Sequence, residues 1–262
     1  MSIELKNVTY QYPDGTIANK HLNLTVGDNE RVAILGQNGA GKTTAVKLMN
    51  RLYTPTEGDV FVNGINTRTR TTAGISHMVG YVFQNPDDQI FKYTVREEVE
   101  FWCRYNELSE EEMKSRVDWA ASLCGIEQYM DMNPYEIPYS TKKFVTIAAV
   151  LTARQPYLIM DEPTAGQDVK GVEYLVRIMD ELQKEGKAVI TITHDMEFAS
   201  SNFKRIIVMA KGNILADGTP EEIFAMDDVL EEAKIMKPQI NQLSCNLGLG
   251  NILTIDELVE KL

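Results

Sequence analysis

Cysteine is scarce in this 262-residue chain: only Cys103, Cys124 and Cys245. The count is odd and no two form a C-x-x-C pair. That argues against a disulfide framework or a thiolate zinc site and fits a reducing compartment. The opening residues, Met1-Ser2-Ile3-Glu4-Leu5-Lys6, hold no apolar stretch, so no secretory signal is expected. The longest nearly apolar run, Phe144–Ala153, has ten residues where a membrane span needs roughly 20, so a buried core helix is expected there. Work at a membrane would then require another chain to hold this one in place. Positive charge is also short: 26 Lys+Arg against 38 Asp+Glu give a net charge of −12. Nucleic acid as a partner is disfavoured, because phosphate backbones need a basic footprint. Docking on anionic lipid by charge alone is disfavoured for the same reason.

What is present suits a globular protein of one large domain or two small ones. Hydrophobic residues make up 44% and charged residues 24%, enough for a sizeable core. The acid is concentrated. Residues 87–131 carry 12 acidic and 5 basic side chains, and residues 221–262 carry 9 and 3. These segments read either as solvated helix faces or as an acidic surface for a basic partner. Short β-branched runs mark strands: Ile3-Glu4-Leu5 with Val8 and Tyr10, Leu22–Val26, Arg31–Leu35, Val60–Val62 before an Asn63-Gly64 turn, Tyr157–Met160, Ala188–Thr193 and Arg205–Met209. Helical patterns such as Gly171–Glu185 lie between them, which predicts an α/β sheet, parallel at its centre. Residues 87–153 lack strand runs of comparable strength and read as a helical insertion, with helices at Val95–Arg104 and Ser109–Leu123. Residues 221–262 read as a tail of two or three short helices, the last opened by Thr254.

Two motifs carry chemistry. Gly36-Gln37-Asn38-Gly39-Ala40-Gly41-Lys42-Thr43 matches G-x-x-x-x-G-K-[ST], followed by Thr44. A strand at 31–35 enters it and a helix from about Lys42 to Leu52 leaves it. Such a loop makes an anion cradle from backbone N–H groups and a helix N-terminus. Lys42 would reach the β- and γ-phosphates, and the Thr43 hydroxyl would face Mg²⁺. The second motif is Tyr157–Met160 followed by Asp161-Glu162, an apolar strand ending in two carboxylates at the edge where α/β sheets bind ligands. Asp161 would hold Mg²⁺, through water, and Glu162 would act as general base on water.

With these motifs the sequence resembles the ATP-binding cassette (ABC) family over nearly its whole length. The resemblance implies a P-loop NTPase core of the ABC type with an N-terminal antiparallel β subdomain, a helical subdomain and a short helical C-terminal extension. The ATP-binding domain would span 1–225, with the helical subdomain at about 87–153, and the extension 226–262. Gln84, in Val82-Phe83-Gln84-Asn85-Pro86, resembles the Q-loop glutamine, a Mg²⁺ ligand and sensor of the membrane partner. His194 resembles the switch histidine on the γ-phosphate, and Asp168 the D-loop aspartate. Tyr12 lies where the family places an adenine-stacking aromatic, with Tyr10 its competitor and core packing open for either. Gly80–Phe91, Lys237–Ile240 and Leu253–Leu258 are similar to segments of energy-coupling factor transporter ATPases. The implied cofactors are ATP and Mg²⁺. The implied partners are a second ABC ATPase subunit, a transmembrane scaffold protein and a membrane substrate-binding subunit that captures a vitamin or transition-metal ion. The implied location is the cytoplasmic face of the cell membrane, as a peripheral subunit.

One departure stands out. The family signature Leu-Ser-Gly-Gly-Gln, aligned without gaps from Val145, falls on Ile137-Pro138-Tyr139-Ser140-Thr141. Pro138 has no N–H to offer a phosphate, and Tyr139 fills space that glycine leaves open. Ser140, Lys142 and Lys143 are the nearby groups that could compensate. In the family the signature completes the other subunit's ATP site. The expectation is therefore an asymmetric heterodimer whose partner has an intact signature; a homodimer would carry two impaired sites. A soluble ABC ATPase without a transporter, or an ATP-binding regulatory subunit with little hydrolysis, are the alternatives.

Overall fold

In the computed structural model, which describes residues 1–262, the chain opens with two long antiparallel strands, β1 (Ser2–Gln11) and β2 (Ile17–Gly27). Ile3, Leu5 and Val8 on one strand and Leu22, Leu24 and Val26 on the other are buried. Side chains alternate along a strand, so this spacing gives the pair one core face and one wet face. Strand β3 (Arg31–Leu35) follows and delivers the chain to helix α1 (Lys42–Met49). The helix stops short of the expected Leu52, because Asn50 caps it and Arg51 turns to φ +66°. Next, β4 (Glu57–Val62) and β5 (Ile65–Asn66) form a hairpin around Asn63-Gly64, and β4 pairs with β1. The first sheet has the order β2-β1-β4-β5.

A short helix α2 (Thr72–Ser76) leads to β6 (Val79–Val82). The chain then runs to residue 153 through α3 (Val95–Tyr105), α4 (Glu110–Cys124), α5 (Tyr139–Leu151) and short 3-10 turns, with no strand. Thr94 and Glu97 form a capping box at the start of α3, and Ser109 caps α4 by accepting from the Glu112 N–H. Five ion pairs lie along this segment: Lys142–Asp87, Arg96–Asp131, Arg104–Glu100, Lys114–Asp118 and Arg116–Glu112. Part of its acid is thus paired locally.

The remaining elements are β7 (Tyr157–Asp161), α6 (Val169–Lys184), β8 (Ala188–Ile192), α7 (Met196–Asn202), β9 (Arg205–Ala210) and β10 (Asn213–Gly218). They complete a second sheet, order β10-β9-β3-β8-β7-β6, parallel except for β10 at its edge. Strand β3 at the middle is buried on both faces. Val32 and Ile34 join the layer under the first sheet, while Ala33 and Leu35 join the layer built with α5 and α6. Because β3, β7 and β8 run in parallel, their C-terminal ends open on one edge of the sheet. Four short helices end the chain: α8 (Pro220–Ala225), α9 (Asp227–Ala233), α10 (Gln239–Asn246) and α11 (Ile255–Lys261). Glu197 of α7 accepts a 2.6 Å bond from the Gln239 N–H and ties the last pair of helices to the core.

Candidate nucleotide site

The loop between β3 and α1 is shaped by two glycines. Gly36 has φ +150°, and a Cβ there would stand 2.2 Å from the Met209 carbonyl oxygen. Gly41, at φ +98°, is the residue that caps α1, and a Cβ there would stand 2.4 Å from the Ala18 carbonyl oxygen. No side chain caps this helix, so its first N–H groups are left for an anion. Lys42 curls back under the loop. Its Nζ donates to the Gly36 carbonyl at 2.6 Å and to that of Gln37 at 3.1 Å, and lies 3.3 Å from His194 Nε2. Burial holds its pKa below the usual lysine value, against the pull of Glu162 and Asp161.

Across the edge, β7 ends in the two carboxylates. Asp161 Oδ2 accepts from Thr43 Oγ1 at 3.0 Å, so the two motifs touch directly. The same oxygen accepts from the Tyr81 hydroxyl at 2.9 Å. Burial, then the charge of Asp161, pushes the Tyr81 phenol well above its ordinary value, so it stays a donor. Glu162 sits at φ +50°, a left-handed conformation costly for a side chain of its size. It is held there from both sides: its N–H donates to the Ile192 carbonyl at 2.9 Å, and its own carbonyl accepts from the buried Lys143 ammonium at 2.5 Å. Lys143 also donates to the Ala165 carbonyl at 3.2 Å.

Glu162 and His194 meet twice. The His194 N–H donates to Glu162 Oε2 at 3.2 Å, and Nε2 stands 3.3 Å from Oε1. Oε1 is nevertheless buried without a hydrogen-bond partner. The Lys42 ammonium can only donate, so Nε2 facing it is the unprotonated acceptor and offers Oε1 nothing. Burial, reinforced by Lys42, keeps the imidazole pKa below its ordinary value, which agrees with a neutral ring. Burial pushes the Glu162 carboxyl up to about 7. The result is a carboxylate oxygen beside the phosphate loop, close to neutrality in its titration and with a free lone pair.

Of the residues expected at the site, Asn38, Gly39, Ala40, Gly41, Lys42, Thr43, Thr44, Gln84, Asp161, Glu162 and His194 line one open cleft. Gln84 is at its exposed rim. Gly36 and Gln37 lie off the cleft wall and give their carbonyls to Lys42. Tyr12 is also off the wall: its hydroxyl is 2.9 Å from Thr44 Oγ1, and its ring meets Tyr10 and Tyr53 edge-on. Tyr10 is stacked flat on Tyr53, so one of its faces is already taken. Asp168 lies outside the cleft and caps α6 through the Gly171 N–H at 2.8 Å. No group of three His, Cys, Asp or Glu side chains is placed to hold a metal ion among themselves. A magnesium–nucleotide site does not need one, since Mg²⁺ there takes one or two protein oxygens plus phosphates and water.

Sequence reasoning passed over Tyr81 and the inward turn of Lys143. The segment Ile137–Thr141 forms the turn into α5, with Pro138 at its cap and Tyr139 half-exposed. Both nearby lysines are engaged within this chain. Lys142 pairs with Asp87 at 2.9 Å, and Lys143 is buried against its own chain's Glu162. Beside Gln84, an apolar groove is lined by Leu52, Tyr81, Phe83, Phe91, Phe101 and Trp102, with Glu98 at its side accepting from the N–H groups of Phe91 and Lys92.

A phosphate loop on β3, paired carboxylates on β7 and a histidine after β8, all at one edge of a parallel sheet, define a P-loop nucleoside triphosphatase. Residues 19–165 match the family described as ABC transporter, and the chain belongs to that family: it is an ATP-binding ABC ATPase. It is 39% identical over 257 residues to an ABC transporter ATP-binding protein of Pyrococcus furiosus, covering 98% of each chain. It is 36% identical over 267 residues to the energy-coupling factor transporter ATP-binding protein EcfA of Methanothermobacter thermautotrophicus, covering 99% of this chain and 86% of that one. Among solved structures it is similar to CbiO1 of Clostridium perfringens, part of the ABC transporter complex CbiONQ. The TM-score is 0.78 and the identity 34%, over 92% of this chain and 97% of that one.

Proposed function

We propose that this chain is the ATP-hydrolysing subunit of an energy-coupling factor type importer, taking up a vitamin or transition-metal ion, and works as one half of an asymmetric ATPase pair. The observation that carries the asymmetry is local. The chain's own phosphate loop, Asp161, Glu162 and His194 form a connected cluster, while Pro138 and Tyr139 occupy the turn that faces the other subunit's nucleotide in this family. Tyr12 would stack on adenine, and Lys42 with the loop N–H groups would hold the phosphates. Thr43, Asp161 and Gln84 would hold Mg²⁺, which supplies charge neutralisation at the phosphates. Glu162 would take the proton of the attacking water and His194 would contact the γ-phosphate. The relatives named as energy-coupling factor subunits, and the CbiO1 likeness, support the importer.

No helix is long and apolar enough to cross a membrane, so transport requires membrane partners: a transmembrane scaffold and a substrate-binding subunit, with this chain peripheral on the cytoplasmic face. The apolar groove beside Gln84 suits an amphipathic segment of the scaffold. A second ATPase subunit with an intact signature completes the site. A related ATP-binding cassette, 28% identical, was solved as a dimer bound to ADP and Pi, which supports the paired arrangement. The test is ATP turnover and ATP-driven dimerisation of the purified chain, with Glu162→Gln as control. Nucleotide binding with little turnover is expected; turnover of the chain alone matching a complete transporter would contradict the asymmetry.

A further inference from the structure

We propose that Tyr81 is a positioning residue that orients the Asp161 carboxylate toward the divalent cation; this rests on the reading of Asp161 as a Mg²⁺-facing group. The terminal torsion of an aspartate is broad, so a carboxylate held by one donor swings easily. Asp161 Oδ2 has two donors, Thr43 Oγ1 at 3.0 Å and the Tyr81 hydroxyl at 2.9 Å. Two donors on one oxygen fix the carboxylate plane and leave Oδ1 for a cation or its water. Thr43 Oγ1 is also expected to give a lone pair to the cation while it donates its proton to Oδ2, so its position is tied to the metal.

Tyr81 has no such second duty, and its place is firm. It sits on β6 in parallel register with Ile159, two residues before Asp161 on β7. Its ring meets Phe83 edge-on at 4.9 Å. A hydrogen bond from a neutral donor to a carboxylate is stronger than one between neutral groups. Partners that orient metal ligands in this way typically change metal affinity about 10- to 100-fold when removed.

The experiment is Mn²⁺ binding to the ADP-loaded protein, read from the free Mn²⁺ signal by electron paramagnetic resonance, with metal-free ADP affinity measured in parallel in EDTA. Tyr81→Phe removes only the hydroxyl. The expected result is Mn²⁺ affinity at least about tenfold weaker, with metal-free ADP affinity within about twofold of the parent. Tyr157→Phe is the packing control. Tyr157 is on the neighbouring strand β7, and the change removes another buried phenol hydroxyl, one bonded to Asn63 in the β4–β5 turn at 2.7 Å; it should change neither value. Asp161→Asn tests the underlying reading. If it weakens Mn²⁺ binding and Tyr81→Phe does not, the role of Tyr81 is overturned alone. If Asp161→Asn also leaves Mn²⁺ binding unchanged, the metal reading of Asp161 fails with it. An equal loss of metal-free ADP affinity in Tyr81→Phe would show a merely structural tyrosine and overturn the proposal.

Discussion

At Glu162, burial outweighs the pull of neighbouring cations. Its carboxyl is pushed up to about 7, while the His194 N–H, Lys42 and Lys143 all act to lower it. As the proposed general base it works only when deprotonated, so turnover should rise with pH through about 7 and level off above; a flat profile from about pH 5.5 to 8.5 would exclude it. The same shift acts on stability. The folded state holds this proton more tightly than the unfolded chain, so the contribution is complete below the unfolded value near 4.5 and is lost as pH rises through 7. Glu162→Gln should therefore gain stability relative to the parent between pH 5 and pH 8, by up to roughly 3 kcal/mol, as thermal melts at both values would show. Its turnover should fall about 10²- to 10⁴-fold with nucleotide binding retained. Glu162, Asp161, Lys42 and Thr43 were legible in the sequence because their spacing reflects phosphate chemistry. Lys143 was less so, since lysine is rarely buried. Its position four residues before Ile147, on the apolar side of the helix, was the available signal.

Among the elements, β3, β7 and β8 were legible as runs of β-branched and aliphatic residues, because a central parallel strand is buried on both faces. Strand β6 was not. It has four residues, one of them Gly80, whose missing Cβ makes room for Val150 of α5: a Cβ would stand 2.6 Å from Val150 Cγ1. Strand β10 is a half-exposed edge whose residues carry no apolar alternation. The hydrophobic period of α6 was plain, and Leu175 on its buried face marks the core beneath it. Leu175→Ala should cost about 2–5 kcal/mol by denaturant unfolding, a loss that a solvent-facing helix would not show. Helix α5 begins at the segment proposed to depart from the family signature. Pro138→Ser with Tyr139→Gly restores an N–H and opens space there, and should raise turnover of the chain alone at least about tenfold, since a single phosphate-directed donor in a dry site is worth that much or more. No rise would mean the turn does not face a partner's nucleotide.

At the scale of the whole molecule, the phosphate loop, the proposed general base and the histidine of one chain would make half of an ATPase site. In the proposed importer the rest would come from another subunit, and the transported substrate would contact yet other chains. This is why the sequence speaks clearly about phosphate chemistry and says nothing of cargo: no residue here has reason to record it. The net charge of −12 belongs at this scale too, with several acids of the helical segment already paired on its surface. The most direct test of the asymmetric site uses this chain alone. Parent protein is mixed with a chain carrying Pro138→Ser, Tyr139→Gly and Glu162→Gln, which offers a restored signature but no base, and steady-state ATP turnover of the mixture is compared with that of each component. The mixture should exceed the sum of its parts at least severalfold, because the parent's Lys42, Glu162 and His194 then meet a competent partner. A mixture no faster than its parts, or a parent chain already as fast alone, would contradict the account.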